Sequence, residues 1–513
     1  MFSLKKLLKK SEMHLSDPVS SEADEIPCGI NPSIAENITV LRCLFGESFD
    51  LIIKETRISG VKAAFVVLDG MYDNLLVSQA VVNPVLKIRI ESPDPQKIFK
   101  LAAEYKATEC DSQEVSDMSD AVDRLLSGCI LLFVDGVNKC LIFSVQGYPK
   151  KSIDPPESET QEQGSHEGFA DMYKDNVTLV RRRLKSPYIR FETLTAGETS
   201  NTTLCVCYHS KRADPKIVSS VKSKLQTASL DIVPGAGAIR PFLESKRPSF
   251  FTSVGTTERP DVFAAKLSEG RVGIIVDGTP YALIVPYLFI ENFHSLDDYL
   301  SRPYYTLMSR ILKIICFFTA VLLPGAYVAA GTYHQEIFPP DVISGIASSL
   351  QNTPFPLVIE ALVIHLIYEI VREAGLRMPK SMGHAVSIVG ALVIGDAAVT
   401  AGLISAPMLI VVALTAICTA VIFPLQQPAS VLRLIFIFAG GFFGFYGIIL
   451  GFSVIVINLC SVSSFGVPFT SPVSPFDVYG SRDSIIFAGW RKTGSRFMQI
   501  QKLRGSDANG NKS

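Results

Sequence analysis

The chain has no Cys-x-x-Cys pair, no His-Glu-x-x-His run and no Gly-x-Ser-x-Gly elbow. These absences remove the common signatures of a zinc site, a metallopeptidase and a serine hydrolase. An excess of either charge is also missing: 48 Lys plus Arg face 49 Asp plus Glu, a formal net charge of −1, so nothing attracts nucleic acid in general. Ten cysteines are scattered along the chain. The nearest pair, Cys205 and Cys207, would point the same way from one strand and cannot form an ordinary disulfide. Cys316, Cys418 and Cys460 lie in apolar runs, and all ten are read as reduced. The start, MFSLKKLLKKSEMH, lacks the apolar core and cleavage site of a secretory signal and reads as a basic tail or a short surface helix. Gly-Ala-Gly at 235–237 lacks a third glycine and reads as a turn, not a phosphate cradle. No catalytic residue, cofactor or metal site is predicted, and an enzyme is the least expected class.

What the chain does have is apolar length. Hydrophobic residues make up 48% of it and the mean hydropathy is +0.30. From Val386 to Pro424 two apolar runs follow each other with one charge, Asp396. Each has about 20 residues, enough for a helix across a roughly 30 Å hydrocarbon core, with a turn at Ser405-Ala406-Pro407. Residues before 310 are far more polar. The expected fold is therefore α/β plus membrane α-helical: tandem α/β subdomains on the cytoplasmic side, then a multi-span helical domain.

The polar part has its own grammar. Residues 1–30 are a leader, 31–149 a first α/β subdomain, 150–168 a Pro/Glu/Gln/Ser linker too poor in apolar surface to order itself, and 169–305 a second subdomain. Each subdomain closes on two β-rich runs around Asp-Gly, at Asp135-Gly136 and Asp277-Gly278, which predicts a hairpin with a tight type I′ turn. The second Asp-Gly follows the first by 142 residues, and the same offset carries the strand at 64–68 onto 206–210. The element order therefore repeats, although residue identity is slight outside the VDG turns. Arg181-Arg182-Arg183 ends a helical stretch, where it complements the helix dipole on a solvated face or touches a lipid or partner anion.

The membrane domain is expected over 306–460, with spans at about 311–333, 386–404, 407–424 and 432–459, and a cytoplasmic tail over 461–513. Arg302, Arg310 and Lys313 precede the first span and the loop after it has no Lys or Arg, so the soluble body and the basic tail are expected inside. The stretch 354–373 is apolar but carries Glu360, His365 and Glu369, with Arg372 and Glu373 at its end. It reads as an amphipathic or re-entrant helix. His365, Glu369 and Glu373 stand four apart, a spacing that suits a cation and equally any polar helix face.

Two unlike faces mark the helix 386–404. Ser387, Ala391, Ala398 and Ala401 form a small-residue packing face. Opposite them stand Val389, Val393, Asp396, Val399, Thr400 and Leu403. In a ring of copies this face would place a valine constriction and a circle of carboxylates on the axis. A single buried Asp bonded to a neighbouring hydroxyl reads equally well.

Long stretches, among them HEGFADMYKDNVTLVRRRLKSP, RPSFFTSVGTTERPDVFAAKLSEGRVGIIVDGTPYALIVP and SSFGVPFTSPVSPF, resemble the A-subunit family of bacterial spore germinant receptors over about 35–492. The resemblance implies an integral protein of the spore inner membrane that works with B and C subunits and membrane lipid. It implies a ring oligomer of this chain that conducts monovalent cations, with nutrient recognition left to the B subunit. In that family the position of Asp396 usually holds an uncharged polar residue, so this chain departs at its expected pore. A non-conducting scaffold is the competing expectation; a transporter would need more spans and broken helices in repeated halves.

Overall fold

Val61–Leu68 reads VKAAFVVL, and from Ala63 onward every side chain is buried. A central strand covered by helices on both faces has no solvent side, which is why apolar residues run on without alternation. The computed structural model describes residues 29–90, 93–104, 112–145, 147, 155–156, 159, 164–245, 247–339, 353–377, 395–477, 480–487, 489, 500, 503 and 506.

The first unit runs α1 (Ile34–Phe45), β1 (Leu51–Ile58), β2 (Val61–Leu68), α2 (Asn74–Leu86, with a π-turn over Ser78–Val82), α3 (Pro95–Glu104), β3 (Ser112–Val115), α4 (Met118–Leu126), β4 (Ile130–Val134) and β5 (Cys140–Phe143). All neighbouring strands are antiparallel, in the order β1-β2-β4-β5-β3. Ala64, Val66 and Leu68 of β2 pack with α1 and α4 on one face, while Ala63, Phe65 and Val67 pack with α2 and α3 on the other.

The second unit repeats this plan with α5 (Tyr173–Arg183), β6 (Ile189–Ala196), β7 (Thr202–His209), α6 (Pro215–Gln226), α7 (Ala236–Leu243), β8 (Gly255–Thr257), α8 (Pro260–Ser268), β9 (Val272–Val276) and β10 (Ala282–Val285). Its strand order is β6-β7-β9-β10-β8. α5 and α8 cover one face and α6 and α7 the other. The Gly-Ala-Gly at 235–237 opens α7, so it starts a helix where a plain turn was expected.

The repeat extends to single hydrogen bonds. Asn37 receives the Asn31 N–H and donates to the Asn31 carbonyl, and Asn176 does the same with Ala170. Asp135 accepts the Ile34 N–H at the start of α1; Asp277 accepts the Tyr173 N–H at the start of α5. This corrects the expected type I′ turn, which needs positive φ at both central residues. Only the glycines have it, Gly136 at 88° and Gly278 at 81°. The aspartates serve a helix N-terminus, and their strands are joined by a longer loop.

Beyond residue 300 the longer helices are α9 (Pro303–Tyr333), α10 (Leu357–Arg377), α11 (Ala406–Val421) and α12 (Gln426–Ser461), with a helical segment at 395–400. Among the described residues two helices are long and apolar enough to cross a membrane, Pro303–Tyr333 and Phe423–Ser461. α9 continues through Pro324. α11 has 16 residues, about 24 Å of helix. Gly444 interrupts α12 with φ 60° and ψ −150°, so the stretch expected as one span is two helical segments. Residues 386–394 of the second expected span lie outside the described residues.

Candidate functional site at and within the membrane helices

The passage from the second unit to α9 is built from buried charge. Arg271, fully buried beside β9, donates from both Nη atoms to Glu291 at 2.6 and 2.5 Å, and Lys266 of α8 reaches the same carboxylate at 2.6 Å. Burial by itself would raise the Glu291 carboxyl, but Arg271 and Lys266 overrule it and hold it well below the ordinary carboxylate range. Glu291 also accepts the Leu288 N–H, so the segment after β10 is held at its first turn.

A second cluster follows within one helical turn of the apolar stretch. Arg310 of α9 is buried and donates to Asp298, Asp483 and the Ser484 carbonyl. Lys313 adds contacts to Asp298 and Ser295. His294 shares the Ser484 carbonyl at 2.8 Å; a carbonyl only accepts, so Nε2 carries the proton. Burial, then Arg310 and Lys266, hold His294 well below the usual histidine range. The tail residues at 483–484 are thus fastened to the base of α9.

Inside the helices three small residues set the distances. A Cβ on Gly325 of α9 would stand 2.5 Å from the Phe436 carbonyl oxygen of α12, and one on Gly440 would collide with the Gly325 carbonyl oxygen. α9 and α12 therefore cross backbone to backbone. Gly331 of α9 makes room for the Leu357 side chain of α10.

Polar groups fill what remains. Arg433 of α12 is 1% exposed; its Nε donates to the Ala320 carbonyl, its Nη2 to the Thr419 hydroxyl, and its plane lies 5.7 Å from the Tyr368 ring centre. Glu360 of α10 is fully buried. Its Oε1 receives both the N–H and the hydroxyl of Ser405 at 2.6 Å, which places a carboxylate at the N-terminus of α11. Glu360 Oε2 and the Tyr327 hydroxyl make no hydrogen bond of normal geometry.

The residues expected to matter distribute as follows. Val389, Val393, Ser387 and Ala391 lie outside the described residues. Asp396, Thr400, Ala401 and Leu403 are exposed, Val399 is half-buried, and Ala398 is buried against α11 with Ile404, Met408 and Val412. His365 is buried and bonded to the Ala361 carbonyl. Glu369 pairs with Arg372 at 2.6 Å and Glu373 with Arg377 at 2.8 Å. Among the described residues no three His, Cys, Asp or Glu side chains are grouped to hold a metal ion. Sequence reasoning passed over Arg433, although a lone arginine inside a strongly apolar helix was a signal. It also left Arg181 as part of a solvated run, whereas that residue is buried.

Residues 39–498 match the Bacillus/Clostridium GerA spore germination protein family. Spore germination protein KA of Bacillus subtilis (strain 168) is 38% identical over 471 residues, covering 91% of this chain and 86% of that protein. The membrane protein YfkQ of the same organism is 34% identical over 467 residues, covering 90% of each. The crystal structure of the N-terminal domain of the A subunit of the Bacillus megaterium spore germinant receptor GerK3 is 28% identical, with a TM-score of 0.42, covering 52% of this chain and 98% of that one. The chain is a membrane protein and belongs to the GerA spore germination family, the A-subunit family of spore germinant receptors.

Proposed function

We propose that this A subunit assembles into a ring of its own copies, with the helix at 386–404 around the axis, and conducts monovalent cations when nutrient is sensed by an associated B subunit. The C subunit of the receptor and membrane lipid complete the assembly. The membrane is the spore inner membrane, with the tandem α/β units and the tail on the cytoplasmic side. Release of cations then starts germination.

The observation that supports this reading is the exposure of Asp396. Its segment buries Ala398 and Ile404 against the chain's own helices, yet leaves Asp396, Thr400 and Leu403 uncovered. A carboxylate left to lipid costs several kcal/mol, so water or a neighbouring copy must meet it. A ring satisfies both, and its valines at 389 and 393 would form the dewetting constriction.

The test is ion efflux from spores carrying Val393→Ala or Asp396→Asn. Leak without nutrient in the first and altered cation preference in the second are expected. Unchanged efflux in both, together with full germination when 386–404 is replaced by an unrelated apolar helix, would favour a non-conducting scaffold.

A further inference from the structure

We infer that Glu360, Tyr327 and Ser405 form a buried site for a single monovalent cation, held by Glu360 Oε2 and the Tyr327 hydroxyl between α9, α10 and α11. The argument begins with an imbalance. Oε1 of Glu360 takes two donors from Ser405, and the N-terminus of α11 adds its partial positive charge there. Oε2, equally buried, makes no hydrogen bond among the described residues. The Tyr327 hydroxyl, close enough to feel the Glu360 charge and next to Ser405, has none of normal geometry either. Two buried oxygens that both border Ser405 and make no hydrogen bond of normal geometry, one of them on a carboxylate, suit a cation and nothing apolar.

Among the described residues no protein cation supplies the missing charge. Among the described residues no Lys, Arg or His forms an ion pair with Glu360. On its own helix, His365 is turned to the Ala361 carbonyl and Arg372 is taken by Glu369. On α12, Arg433 donates from Nε to Ala320 and from Nη2 to Thr419, and its buried Nη1 makes no hydrogen bond to Glu360. Asp396, on the segment leading into α11, is exposed and of the wrong sign. Among the described residues no three His, Cys, Asp or Glu side chains are grouped here, whereas a divalent ion needs more anionic oxygens than one carboxylate supplies, which leaves a proton or an alkali ion. Ser405 is where α11 begins, so occupancy would act on the α10–α11 contact whether or not the chain conducts.

The experiment uses the full chain in lipid nanodiscs and reads the infrared carboxylate and protonated-carboxyl bands. Sodium or potassium chloride is exchanged for N-methylglucamine chloride at constant pH, and separately pH is stepped at constant salt. A saturable band change in the first exchange identifies an alkali ion, and one in the second alone identifies a proton. Either must be lost in Glu360→Gln, which keeps the side-chain size and an acceptor for Ser405. Should that variant not fold, Tyr327→Phe is read instead and should weaken an alkali-ion response several-fold, or alter the carboxyl band if the ion is a proton. No response to either exchange, or a response unchanged in these variants, overturns the site.

Discussion

Arg181 Nη2 lies 2.8 Å from Asp50 Oδ2, and the two side chains are 1% and 2% exposed. Asp50 belongs to the loop entering β1 of the first unit and Arg181 to α5 of the second. Arg181 also donates to the Ser186 and Ile189 carbonyls and lies 4.6 Å from the Phe191 ring centre. Ser48 accepts the Phe191 N–H, and Phe49 donates to the Phe191 carbonyl. A pair buried this fully joins the two units into one body.

Its removal should be asymmetric. Taking away one partner strands a buried charge, so Arg181→Ala or Asp50→Ala should each destabilise the full chain by about 3–5 kcal/mol. Arg181→Met combined with Asp50→Leu should cost less than either single change. Thermal unfolding followed by circular dichroism checks this order; a double variant as damaging as the two singles added would show independent roles.

The crossing of α9 and α12 makes a steric prediction. Gly325→Ala and Gly440→Ala each place a methyl group against a carbonyl that belongs to a helix backbone and cannot swing aside. Overpacking of this kind costs about 1–3 kcal/mol. Gly237→Ala, where a Cβ meets nothing within 4 Å, is the control and should be neutral. Unfolding temperatures in nanodiscs should fall for the first two only.

Much of this was legible in the residues, and the rest was not for physical reasons. The repeat could be read from Asp135 and Asp277 because both sit between two fully apolar strands. The role of those aspartates could not, since an Asp-Gly that caps a distant helix has the same local sequence as one that makes a tight turn. β3 and β8 are short edge strands, SQEV and GTT, with no apolar run to announce them. Arg181 looked solvated because its neighbours Arg182 and Arg183 are partly exposed and pair with Glu167; only the tertiary position of Asp50 sets it apart. Glu360 was noticed as a charge in an apolar helix, but its partner Ser405 is 45 positions away and no local pattern links them.

His294 predicts an acid-sensitive base to α9. Its folded-state value is depressed by burial, while the unfolded imidazole titrates near 6.5. The unfolded chain therefore binds the proton first, and stability present above about pH 6.5 is lost as pH falls, by about 1.4 kcal/mol per unit. Glu159 acts in the opposite sense over part of this range: burial pushes its carboxyl up to about 7, so it stabilises at low pH and loses that contribution as pH rises. In a Glu159→Gln background the His294 slope should steepen, and His294→Gln should flatten it between pH 6.5 and 5. Denaturant titrations across that range check both; a slope unchanged by His294→Gln would assign the acid sensitivity elsewhere.

Arg433 should behave as a packing cation whose partners matter unequally. Its Nε bond to the Ala320 carbonyl and its place against Tyr368 tie α12 to α9 and α10, while Thr419 of α11 takes Nη2. Thr419→Val removes one acceptor and keeps the shape, so it should cost about 1–3 kcal/mol. Arg433→Ala also opens a cavity and frees the Ala320 carbonyl, and should cost about 3–5 kcal/mol. Arg433→Met restores apolar volume in a region where no water competes for the lost charge, and should recover a large part of that loss. Thermal unfolding in nanodiscs orders the three. If Arg433→Met were as damaging as Arg433→Ala, the positive charge itself, rather than the space it fills, would be what holds these helices together.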